Sequence, residues 1–115
     1  MTVRPLDALV DTHTHVVSDD PERYPLDPAG LPGVWYREAP HTAEQLIALM
    51  DANGVERAVL VQGVGAYSYD NSYVADCAER HADRVWSACA VDVLAPDALA
   101  RMDHWIGARG MHGIR

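Results

Sequence analysis

The chain has 115 residues, 49% hydrophobic and 23% charged, an ordinary globular composition with enough apolar material for one modest core. Seventeen acidic against nine basic side chains give a formal charge of −8, a field that repels phosphate backbones and argues against nucleic acid and anionic membranes as partners. No apolar run approaches the roughly 18 residues of a membrane span, and none behind Met1 and Arg4 makes a signal-peptide core, so a soluble, cytoplasmic protein is expected.

The first predicted element is a strand from Ala8 to His13, an apolar run that turns polar at its end. From Val16 to Pro40 the prolines and glycines are too frequent for a regular element, which predicts a long loop. Trp35 and Tyr36 give that loop large side chains, which either cover a site or pin the loop to the core. Thr42-Ala43-Glu44-Gln45 has capping-box spacing, and Ala43, Leu46, Ile47 and Met50 then recur at helical spacing until Asn53-Gly54. Ala58 to Val61 reads as a strand buried on both faces, ended by Gln62-Gly63.

A second helix is predicted over Asn71 to His81, with Val74, Cys77, Ala78 and His81 on one face, followed by a strand over Val85 to Val91. Cys77 and Cys89 lie in apolar segments without metal-type spacing and are expected to be buried thiols. Pro96 to Arg109 reads as a third helix with Leu99, Met102 and Ile106 as its stripe, and Gly110 stops it before a fourth strand, Met111 to Arg115. Strands opening near Ala58, Val85 and Met111 are 27 and 26 residues apart, a βα period that implies right-handed crossovers and a parallel sheet. Alternating strands and helices leave the doubly wound sheet and the barrel as architectures.

His13-Thr14-His15 carries the chemistry. Side chains alternate along a strand, so both imidazoles face one side at the strand's carboxyl end, where parallel α/β folds build their sites. Two converging imidazoles suit metal or catalytic use, but a catalytic zinc takes about three protein ligands, so the pair needs others. His41, before a helix start at the same end, is the one local candidate; His81, His104 and His112 read as structural or solvated. Arg115, at the end of the fourth strand, has the fork geometry to grip a carboxylate, or else pairs with Asp11 or Asp92. Gln62 and Tyr67 are further candidates for substrate contact, Tyr69 and Asn71 either line a pocket or pack the loop, and Asp92 either positions a substrate or caps the turn before Pro96, with the cap preferred.

Several segments together resemble the amidohydrolase superfamily, in the amidohydrolase-related branch with pyrone-dicarboxylate lactonase-like and carboxymuconate-semialdehyde decarboxylase-like enzymes. They are Val10-Asp11-Thr12-His13-Thr14-His15, Arg23-Tyr24-Pro25, Gly54-Val55-Glu56-Arg57-Ala58-Val59-Leu60-Val61-Gln62, Asp70-Asn71-Ser72-Tyr73 and Gly113-Ile114-Arg115. The resemblance implies an α/β fold: residues 1–115 as the N-terminal part of a (β/α)8 TIM barrel, about three and a half βα units on a parallel sheet. It also implies a divalent metal, usually zinc, at His13 and His15, although some lactonase-like members are thought to use the same residues without one. A complete barrel takes about 250 residues. The general acid or base and the other ligands are therefore expected beyond Arg115.

The activity implied is metal-assisted hydrolysis of a lactone, ester or amide of a small carboxylated substrate. Decarboxylation within the same superfamily, or a non-catalytic α/β module, are the alternatives. An open sheet of this kind has two unpaired edges and an inward face with Val59, Val61, Ala88 and Ala90 short of partners. Taken alone, the chain is expected to be inert and either to self-associate or pair with a complementing C-terminal half, or to be only marginally folded.

Overall fold

The computed structural model describes residues 8–28, 30 and 33–115. The start of the chain and the part of the predicted loop at positions 29, 31 and 32 lie outside those residues. Four parallel strands, β1 (Leu9–Thr14), β2 (Val55–Val61), β3 (Val85–Cys89) and β4 (Gly113–Ile114), lie side by side in chain order. Helices fill the connections, and the four βα-linked strands make the N-terminal part of a TIM barrel. Among the described residues no helix is long and apolar enough to cross a membrane.

Local chemistry explains the best-marked helix, α2 (Ala43–Asn53). Gln45 N donates to Thr42 Oγ1 at 3.2 Å while Thr42 N donates to Gln45 Oε1 at 2.9 Å, the predicted capping box, and Gly54 ends the helix at φ 68° in the left-handed region. Ala43, Leu46 and Met50 are buried as the spacing requires. The next helix, α4 (Ser72–Arg80), buries Val74, Cys77 and Ala78, and both cysteines are free and buried. Two four-residue helical turns were not predicted: α1 (Trp35–Glu38) inside the long loop and α3 (Val64–Tyr67) after β2.

The sheet has a helix-covered layer in which paired residues share a face: Thr14 stands opposite Leu60, and Leu60 opposite Ser87, all buried. On the other face Val61 and Ala90 are also buried, so that side is less bare than an open sheet implies. The edges do present apolar groups, Leu9 and Val10 on β1 and Ile114 on β4.

The third helix differs most from expectation. It is α-helical only from Ala98 to Met102 (α5) and continues as π-helix over Asp103–Ala108. Ala98, Met102, Trp105 and Ile106 pack on the core, and Leu99, predicted in the stripe, is 81% exposed.

Candidate active site

The end of β1 is irregular. Asp11 pairs with Ala58 and Thr14 with Leu60, three residues of β1 against two of β2, so a bulge lies around Thr12 and His13. Such bulges re-aim side chains beside functional sites. Asp11 stabilises this one: its Oδ1 accepts from His13 N at 3.1 Å.

Past the bulge the two imidazoles converge as predicted, with Nε2 of His13 3.2 Å from Nε2 of His15 and their rings edge to face. Nδ1 of His15 lies 2.9 Å from the Val61 carbonyl oxygen. A carbonyl only accepts, so Nδ1 carries the proton and Nε2 presents a lone pair, with His13 Nε2–H as the donor between the rings. Two nitrogens bound to one ion at about 2.0–2.1 Å and a near-tetrahedral angle stand about 3.3 Å apart. The spacing therefore fits two ligands of a single divalent ion, for which His13 would carry its proton on Nδ1 instead of Nε2, with a backbone carbonyl as the outer partner that orients His15. Among the described residues no group of three or more His, Cys, Asp or Glu side chains is gathered for a metal.

His15, Trp35, Tyr36, Gly63, Val64, Gly65 and Arg115 line a pocket of about 190 Å³ at this end of the strands. The structure thus brings together the histidine, the loop aromatics and the strand-four guanidinium. Arg115 Nη1 donates to the Gln62 carbonyl at 2.7 Å, and among the described residues it makes no ion pair with Asp11 or Asp92.

The side chains of two further candidates, Gln62 and Tyr67, lie off the lining of this pocket. Gln62 is fully buried, its Nε2 donating to the carbonyls of Ser68 and Asp70, so its backbone oxygen rather than its side chain meets the pocket residue Arg115. Tyr67 is 2% exposed, and its hydroxyl accepts from Ser18 N at 2.9 Å. Burial raises its pKa. Both side chains stitch the loop after β2 instead of lining the pocket.

Asn71 does the same for β3, exchanging hydrogen bonds with both backbone groups of Ala90. Asp92 caps its turn by accepting from Leu94 N at 3.1 Å. His41 is absent from the pocket lining, His81 lies 3.8 Å from Glu44, His104 packs on Trp105, and His112 Nδ1 accepts from Ser87 N.

Sequence reasoning missed the bulge, the Val61 carbonyl and the glycines under Trp35. Only the Gly63-x-Gly65 spacing left a visible trace. A larger polar cleft of about 380 Å³ lies between the β1 loop and helices α2 and α4, but Arg80 and Glu44 on its wall pair at 3.1 Å and it holds neither histidine of the pair.

Among solved structures, the chain is similar to a probable 2-pyrone-4,6-dicarboxylic acid hydrolase from Acinetobacter baumannii with citric acid bound (21% identity, TM-score 0.65, covering 93% of this chain and 36% of that one). It is also similar to a 2,6-dihydroxybenzoate decarboxylase from Rhizobium (17%, 0.65, 95% and 38%). A dihydroxybenzoic acid decarboxylase from a Polaromonas species, with bound manganese and 2-nitroresorcinol, matches likewise (14%, 0.63, 95% and 38%). The chain spans less than two-fifths of the length of each of these. No curated protein matches it significantly. At such identities the likeness establishes the fold, and the amidohydrolase family model matches residues 10–115. Nearly the whole chain fits that model, and the chain belongs to the amidohydrolase family.

Proposed function

We propose that this chain carries the first part of the active site of a metal-assisted hydrolase acting on a lactone, ester or amide of a small carboxylated substrate. The observation that carries the reading is the 3.2 Å approach of the His13 and His15 Nε2 atoms beside a pocket that also holds Arg115. A divalent ion, zinc by the family resemblance, would supply a Lewis acid there that polarises the carbonyl and acidifies water. His13 and His15 would hold it, the Val61 carbonyl keeps the His15 lone pair aimed, and Arg115 would orient the substrate through its carboxylate. The remaining ligands and the general acid or base belong to strands outside these 115 residues, in a complementing C-terminal half.

Decarboxylation of an aromatic acid is the second reading, favoured by the Rhizobium and Polaromonas structures at TM-scores close to that of the pyrone hydrolase. Turnover of a lactone and of 2,6-dihydroxybenzoate by an eight-stranded barrel containing this segment separates the two. Lactone opening with added zinc, abolished by His13→Ala with His15→Ala, is the expected result. Release of carbon dioxide alone would establish the second reading, and turnover unaffected by the double replacement would reject both.

A further inference from the structure

Trp35 has no part in the reaction just described, yet it holds a definite place beside it. Its indole rests on the turn after β2, where a Cβ placed at Gly63 or Gly65 would meet it at 3.7 Å. A methyl fits there; any longer side chain occupies the indole's seat. The surrounding loop is fastened as well: Asp27 N donates to the Ala66 carbonyl at 2.8 Å, Ser68 Oγ to the Asp27 carbonyl at 2.6 Å, and Tyr36 is buried. Trp35 nevertheless remains 42% exposed, its ring centroid 6.2 Å from that of His15, and it shares the pocket wall with Arg115. Among the described residues the Arg115 side chain makes a single hydrogen bond, to Gln62 O, which leaves guanidinium donors for a ligand.

We propose that Trp35 is a specificity-determining residue: its indole is the flat wall on which a planar carboxylic acid stacks while Arg115 takes the carboxylate, and Gly63 and Gly65 are the seat that holds the wall in place. This rests on the reading of the pocket as a carboxylate site. Stacked aromatic pairs are stabilised beyond the area they bury, and a saturated ring of similar size lacks the flat π-face.

The test is NMR titration of an eight-stranded barrel containing this segment with benzoate and with cyclohexanecarboxylate, acids of equal charge and similar bulk. Wild type is expected to favour benzoate about fivefold to tenfold, with the Trp35 indole N–H resonance moving. Trp35→Ala brings the two acids within about twofold, Trp35→Phe keeps the preference, and Arg115→Gln weakens both acids alike. Gly65→Leu, which fills the seat and leaves Trp35 in the chain, also removes the preference. Absence of benzoate binding, absence of a preference in wild type, or a preference that survives Trp35→Ala or Gly65→Leu overturns the proposal. Zinc binding in the same samples judges the metal reading separately: lost zinc binding with an intact preference rejects the hydrolase and keeps the wall.

Discussion

The imidazole of His15 hangs from Val61, Nδ1 to carbonyl oxygen at 2.9 Å, and this bond decides which nitrogen of His15 faces His13. With both rings neutral and no metal bound, His15 should be the Nδ1–H tautomer and His13 the Nε2–H tautomer. Long-range ¹H–¹⁵N spectra of the imidazoles report this directly. An Nε2–H tautomer at His15 would mean that the bond to Val61 does not form in solution.

Asp11 acts on the site from behind, through the bulge. Asp11→Ala removes the acceptor of the His13 amide and is expected to cost about 1 kcal/mol of stability, in the range of a lost side-chain cap, and to weaken zinc binding. Asp11→Asn keeps an oxygen there and should preserve most of both. Urea unfolding and zinc titration of the two variants check the pair of effects.

Tyr24, Asp76 and Arg109 tie three parts of the chain together, with Asp76 accepting from the tyrosine hydroxyl at 2.5 Å and from the guanidinium at 2.6 Å. Burial pushes the Asp76 carboxyl up, but the hydrogen bonds from Tyr24 and Arg109 outweigh it and hold the pKa below its ordinary value. A depressed folded pKa stabilises the fold above the unfolded value, about 3.9, and this contribution is lost as pH falls through the folded value. Asp76→Asn should flatten the acid limb of a stability-against-pH curve and cost about 1–2 kcal/mol at neutral pH. An unchanged acid limb would show the network to be open in solution.

Burial raises the Cys77 thiol to about 11, and Cys89 is raised by burial too. Both should react slowly with a thiol reagent at pH 8 under native conditions and rapidly in denaturant. Prompt native labelling would indicate that α4 opens.

What the sequence made legible was local. Thr42 and Gln45 are three residues apart and cap one helix, and His13 and His15 are two apart on one chain, so spacing alone placed them. Leu99 lies one residue off the packed row: Ala98, Met102, Trp105 and Ile106 meet the core at helical spacing, and periodicity alone admits either Ala98 or Leu99 as the start of that row. The placement of Gln62 and Tyr67 was not legible, because a polar side chain near a strand end looks the same in sequence whether it faces a pocket or is tied to Ser68, Asp70 and Ser18. The bulge at His13 is a property of pairing with β2 some 45 residues away, and no single strand records it.

Leu99 also gives a simple contrast in stability. Leu99→Ser, at a position that touches little, should change stability by no more than about 0.5 kcal/mol, and Ile106→Ala should cost about 1–3 kcal/mol. Equal effects in thermal unfolding would place Leu99 back against the core or in an association interface.

The central claim is that His13 and His15 together hold one metal ion. Zinc titration of an isotopically labelled eight-stranded barrel containing this segment, followed at the imidazole resonances, tests it most directly. The account predicts one zinc per chain, simultaneous shifts at His13 and His15 Nε2 with His41, His81, His104 and His112 unmoved, and loss of binding in His13→Ala with His15→Ala while the far-UV circular dichroism is kept. Zinc bound equally by that double variant, or zinc that shifts the other histidines and not this pair, would contradict it.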